Sequence, residues 1–181
     1  MSIYNQNDEF LKYNIEFLNG YLSSLALLRD YTTNEVGFNF YLKIIGQYKT
    51  VNQAINDELK WSLERYIGID EVNNLNRLSN RIIEMDNWES ELSSLLNFWI
   101  GKGLTDSIKE ENRKWEDSQD LVLQDLIEHL KLSFQGKEVQ AFVFNKEFKT
   151  KLPFQWGWLK YDDIIFTNSN DTYLLHFDLS D

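Results

Sequence analysis

Leu11, Ile15, Leu18, Leu22 and Leu25 recur along the chain at spacings of four, three, four and three residues. That period lines them up on one face of an amphipathic helix. Thr32-Thr33-Asn34 then supplies a break and a cap. Ile44, Tyr48, Val51, Ile55, Leu59, Leu63 and Tyr66 continue in helical phase to Gly68. Thr50-x-x-Gln53 has the form of a capping box, which leaves either one helix or two over this stretch. Asp70 is placed to cap a further helix with Val72, Leu75, Leu78 and Ile82 inward. Asp86-x-x-Glu89 predicts another capping box, followed by the stripe Trp88, Leu92, Leu95, Leu96, Trp99 and a stop at Gly101. Thr105 predicts a short helix with Ile108 and Trp115 inward. From Asp117 a helix carries Leu123, Leu126, Ile127, Leu130 and Phe134 on one face and ends at Gly136.

The period then falls from 3.6 to 2. Val139, Ala141 and Val143 face one way and Phe142 and Phe144 the other, which predicts a strand covered on both sides or one lying under helices. Phe154, Trp156 and Trp158 alternate too, with Pro153 at the entry, where a strand tolerates it. Ile164 to Thr167, then Asn168-Ser169-Asn170-Asp171, then Tyr173 to Leu179 reads as strand, turn, strand. The predicted fold class is α+β: a helical N-terminal two-thirds of about five helices, then a small antiparallel β-meander of three to four strands. A length of 181 residues makes one domain the expectation, mainly helical over 1–135 and a meander over 136–181.

Composition narrows the function classes. The net charge is −11, from 29 acids against 18 bases. Such a field opposes nucleic acid, whose binding rests on Lys and Arg at phosphates, and opposes anionic membrane surfaces. It favours basic partners, and it also serves solubility alone. With no cysteine, disulfides, thiol catalysis and cysteine zinc sites are excluded. The first ten residues have neither a basic nor an apolar region of signal-peptide type, and no run of 18 apolar residues occurs, so a cytoplasmic protein is expected.

Candidate chemistry is sparse. The two histidines, His129 and His176, would have to serve any histidine metal triad or Ser-His-Asp triad. His129 near a helix C-terminus is accounted for by the helix dipole, and His176 between Leu175 and Phe177 by packing in a strand. Phosphate loops, dinucleotide fingerprints and zinc-protease motifs are missing from the sequence. The paired acids Glu110-Glu111, Glu116-Asp117 and Asp162-Asp163 do not converge, because neighbours on a strand point to opposite faces and neighbours on a helix do not face each other. Glu147-Phe148-Lys149 has the E-x-K form found in metal-dependent nucleases, on a chain without a basic DNA-binding face. The expectation is therefore no enzyme, no metal and no cofactor. Trp61, Trp88, Trp99 and Trp115 lie at helix spacing and read as core. Trp156 and Trp158 share a strand face, either in the core or as interface anchors.

Residues 161–181 hold five aspartates and no base, while residues 105–130 hold eight acids and three bases. Residues 131–160 hold six bases and two acids, so pairing within the chain competes with an exposed acidic face. An acidic, cysteine-free chain of helices followed by a short meander, with the acidic stretches Tyr161 to Asp181 and Glu110 to Glu128, resembles the immunity proteins of bacterial polymorphic and contact-dependent toxin systems. The resemblance implies a protein that binds and neutralises one basic partner, a cognate toxin domain such as a nuclease. The expected contacts are Trp158, Tyr161, Asp162, Asp163, Asp171, Tyr173 and Asp178, with charges that speed encounter and aromatic anchors that hold. A phage or mobile-element regulator or DNA mimic, an enzyme with an unrecognised pocket, and a structural subunit of a larger assembly are the other open classes.

Overall fold

The computed structural model describes residues 3–33, 37–46, 50–57, 81–101, 112–145, 158–169 and 171–180. Helix α1 spans Ile3–Thr33 and strand β1 Phe38–Gly46. A short helix α2 covers residues 51–57, and β2 is Ile82–Glu84. Helix α3, Trp88–Leu96, runs on into a π-helical turn, Asn97–Gly101. Helix α4 spans Asn112–Ser133, and the chain continues through β3, Gln140–Phe144, β4, Trp158–Thr167, and β5, Thr172–Ser180. The fold is α+β. Its five strands form one sheet in the order β1-β5-β4-β3-β2, antiparallel at every pairing.

One face of the sheet carries the main core. Phe38, Phe40 and Leu42 of β1, Ile164 and Phe166 of β4, and Tyr173, Leu175 and Phe177 of β5 pack there against three helices. Leu11, Leu18, Leu22 and Leu25 come from α1, and Leu92 and Leu96 from α3, with Trp99 just after it. Leu123, Leu126, Ile127 and Leu130 come from α4. These are the stripes that the 3.6-residue period marks. On the opposite face, Ile165 and Leu174 meet Ile55 of α2, with Val51, Ile82 and Phe144 around them.

Both edge strands come from the region where only helices are expected. In β1, Phe38, Phe40 and Leu42 are buried on the core side, and Asn39 and Tyr41 alternate with them. The helical phase that begins at Ile44 straddles the end of this strand. It restarts at Thr50, whose Oγ1 accepts from Gln53 N at 3.2 Å; the capping signature was the real boundary. Ile82, expected to face inward from a helix, instead pairs with Phe144 in β2. That strand is three residues long, too short for alternation to show. The cap of α3 sits one residue later than Asp86: Asn87 Oδ1 accepts from Ser90 N at 3.3 Å, and Glu91 Oε1 accepts from Asn87 N at 3.2 Å. The count therefore becomes five strands where three to four were expected. Among the described residues there are four helices where about five were expected. The helix expected around Val72 to Leu78 and residues 105–111 of the short helix expected after Thr105 lie outside the described residues; Trp115, expected in that short helix, belongs to α4, which begins at Asn112 and not at Asp117.

Side chains of α1 cover the outer edge of β1. Asn19 Nδ2 donates to Leu42 O at 2.8 Å and Asn19 Oδ1 accepts from Leu42 N at 2.7 Å. Asp30 Oδ1 accepts from Phe38 N at 3.0 Å. The Asn19 amide thus presents the donor–acceptor pair that a neighbouring strand would offer, which satisfies groups an edge otherwise leaves open.

Candidate functional site

The hairpin of β4 and β5 is set by its turn. Asn168 N donates to Asp171 O at 3.1 Å, and Asp171 N donates to Asn168 Oδ1 at 2.9 Å. Thr167 then faces Thr172, and the ladder brings Asp163 opposite His176 and Tyr161 opposite Asp178. Strand alternation puts His176 and Asp178 on the same face, two residues apart. The result is a clamp: His176 Nδ1 lies 2.6 Å from Asp163 Oδ1, and Nε2 lies 2.8 Å from Asp178 Oδ2. Asn39 Nδ2 of β1 donates to the same Asp178 oxygen at 3.1 Å. Tyr41 stacks on the imidazole, with centroids 4.8 Å apart. The side chains of His176 and Asp178 are each 2% exposed, and that of Asp163 is 10% exposed.

Burial alone would lower the His176 pKa. Hydrogen bonds and attraction from Asp163 and Asp178 outweigh it and push the group up to about 9. At neutral pH the ring is an imidazolium, and both nitrogens donate. It has no lone pair with which to accept a proton, so it is no general base. The clamp ties three strands together. Asp178 Oδ1 is buried without a hydrogen-bond partner.

The remaining expected contact residues divide between the faces. Asp162 points to the core side, where its Oδ2 accepts from Trp99 Nε1 at 2.8 Å. Tyr173 is 1% exposed, and its pKa is pushed up to about 12 by burial and by Asp171. Tyr161 is half-buried; burial and then Asp163 and Asp162 raise its pKa. Asp171 closes the turn, partly buried. Trp158 opens β4, and its side chain lies outside those described, as do Trp156, Glu147 and Lys149. Tyr173 and Asp178 are therefore corrected from surface contacts to interior residues. The carboxylates of Asp162, Asp163 and Asp178 bond within the chain, because strand alternation turns them onto a ring N–H and an imidazolium, while Asp171 joins the turn through its backbone.

Exposed apolar and acidic surface lies elsewhere, on the outer side of α1 and α4. Phe10, Tyr13, Phe17 and Leu27 of α1 are 48–67% exposed, and Leu121 and Leu132 of α4 are 64% and 53% exposed. The helices run antiparallel along this seam. Phe10 and Leu132 line one shallow pocket, Phe17 meets the His129 ring at 4.8 Å, and Tyr21 Oη donates to Val122 O at 3.4 Å. Asp125 and Glu128 stand beside them with side chains 57% and 66% exposed.

No protein-family profile matches the chain, and no curated protein matches it in sequence. Among solved structures it is similar to citrus MAF1 in two crystal forms. One is 12% identical with a TM-score of 0.47, over 92% of this chain and 97% of that chain. The other is 11% identical with a TM-score of 0.48, over 92% of this chain and 98% of that chain.

Two features escaped the reading of the sequence, although each left a signal. His176-x-Asp178 is same-face spacing on a strand, and the turn at 168–171 fixes Asp163 opposite His176. On α1, Phe10, Tyr13 and Phe17 follow the i, i+3, i+7 rule of a second stripe, on a flank about 100° or more around the helix from Leu11, Leu18 and Leu25. Among the described residues, no group of three or more His, Asp or Glu could hold a metal ion, and no helix is long and apolar enough to cross a membrane.

Proposed function

We propose that this chain is an inhibitor of the immunity type, which binds a basic protein and blocks it; a toxin domain, with nucleases as one class, is the partner in view. The observation that carries the reading is the balance of surface charge. The chain is −11 overall, and several described cations are engaged within the fold. Arg29 and Arg81 are buried. Lys131 lies 2.8 Å from Glu89 and 3.2 Å from Glu128, and Lys12 lies 3.8 Å from Glu16. The surface field that an approaching protein meets is acidic, and such a field steers basic partners and turns away acidic ones. The clamp around His176 offers no competing catalytic reading, since both its nitrogens are spent on carboxylates.

Affinity capture from native cells at low and high salt, read by mass spectrometry, tests the reading. The expected outcome is one dominant basic protein, held less tightly at high salt, whose activity falls when this chain is added in stoichiometric amount. Capture of no basic protein at low salt, or of one whose activity the chain leaves unchanged, would overturn it.

A further inference from the structure

The α1–α4 seam carries a proposal about where and what this chain binds; it rests on the inhibitor reading above. A helix at the surface of a globular protein normally buries one apolar stripe and presents polar residues on its other side. Helix α1 departs from that. Leu11, Leu18, Leu22 and Leu25 fill the core, while Phe10, Tyr13 and Phe17 stand in solvent on the flank of the helix beside α4. Single exposed apolar residues are ordinary, but an aligned set is the mark of a recognition surface. Leu121 and Leu132 of α4 extend the set across the seam.

The charges around the stripe select the occupant. Glu9 stands beside it on α1, and Asp125 and Glu128 do so on α4, all exposed. The two nearby lysines, Lys12 and Lys131, are each within 4 Å of a glutamate. A second copy would bring the same acids face to face, and each chain carries −11, so self-association through this face is opposed. An anionic lipid surface is repelled for the same reason. We propose that the α1–α4 seam docks an amphipathic segment of the partner, a helix whose apolar side chains are flanked by Lys or Arg. This is the helix-in-groove mode of recognition, with aromatic anchors at the centre and charge at the rim.

The test uses the full chain and three synthetic peptides of roughly 18 residues: an amphipathic Leu/Lys helix, its Leu/Glu counterpart, and a Leu/Lys peptide of scrambled order. Backbone amide NMR shifts locate binding, and a fluorescence titration measures it. The Leu/Lys helix is expected to bind, with shifts confined to residues 10–27 and 120–132, and the other two peptides to bind at least about tenfold more weakly. Phe10→Ser with Phe17→Ser, and separately Asp125→Lys with Glu128→Lys, should each weaken it about tenfold or more. These positions are on the surface, so retained thermal unfolding temperature shows that the variants fold. Shifts that map elsewhere, equal binding of the acidic peptide, or no binding up to about 1 mM would overturn the proposal. The two readings fail separately. A captured native partner that binds the Phe10/Phe17 variant unchanged removes the seam and leaves the inhibitor. Peptide binding at the seam without capture of any basic protein removes the inhibitor and leaves the seam.

Discussion

Replacing His176 by Asn tests the central electrostatic argument. The folded chain holds His176 at a pKa of about 9, against 6.5 for a free histidine. The pKa is raised on folding, so the stabilisation is fully present below about pH 6.5 and is lost as pH rises through about 9. The gap of roughly 2.5 units, at about 1.4 kcal/mol per unit, amounts to about 3 kcal/mol. That is a large share of the roughly 5–15 kcal/mol by which domains are stable. Urea unfolding followed by tryptophan fluorescence from about pH 6 to about pH 10 measures it. Wild type should lose about 3 kcal/mol across the window. His176→Asn leaves Asp163 and Asp178 facing each other without the cation, so it should cost about 3–5 kcal/mol at the acidic end. Its deficit should then shrink by about 3 kcal/mol towards the alkaline end, where wild type has lost the charge as well. His129→Gln is the control, with one histidine removed and the clamp intact, and should keep the wild-type slope. A flat wild-type profile, or a His176→Asn profile with the wild-type slope, would refute the clamp as a source of stability.

Three further outcomes follow from single contacts. Asn19→Leu keeps the shape but removes both bonds to the Leu42 backbone; it should cost about 1–3 kcal/mol and speed hydrogen exchange at the Leu42 amide, and unchanged exchange would show that the edge needs no cover. Trp99→Phe leaves the Asp162 carboxylate without its indole donor and opens space among Phe40 and Phe177; the expected loss is about 2–4 kcal/mol, and a double-mutant cycle with Asp162→Ala should return a coupling of about 1–2 kcal/mol. Gly136 ends α4 at φ +68 with nothing within 4 Å of an added Cβ. Gly136→Ala should therefore cost only the backbone penalty of about 1 kcal/mol in chemical denaturation, and a loss several times larger would point to a hidden clash.

The helices and the C-terminal hairpin were legible because each repeats one period for several turns or pairs. Leu11 to Leu25 and Leu123 to Phe134 hold the 3.6 spacing, and both stripes are buried as that spacing requires. The turn at Asn168 to Asp171 names itself through the Asx bond it makes. Strands β1 and β2 were hidden for different reasons. In β1 the alternation Phe38-Asn39-Phe40-Tyr41-Leu42 was present, but Tyr41 blurs it and the Ile44-Tyr48-Val51-Ile55 spacing imitates a helix across the junction. In β2 there are only three residues, and its place in the sheet is decided by β3, some 60 residues later in the chain. Long-range pairing of this kind leaves no local pattern to read.

Charge counts along a sequence treat every acid as surface, and here that misplaces the acidic face. The hairpin and residues 105–130 each carry −5, which makes them equal on paper. Folding separates them. A strand buried on both sides must hide every second side chain on each face, so the hairpin aspartates reach inward, and each survives there because a specific donor meets it: Trp99 for Asp162, and His176 for Asp163 and Asp178. Without those donors a buried carboxylate would cost several kcal/mol. A helix makes no such demand on its outer side, so Asp120, Asp125 and Glu128 stay in solvent and keep their long-range field. The same asymmetry leaves Phe10, Tyr13 and Phe17 outside, since a core already filled by Leu11, Leu18 and Leu22 has no place for them. Acid and exposed aromatics therefore meet on the outer side of α1 and α4, and it is there, rather than at the hairpin, that the proposed inhibitor reading is to be tested.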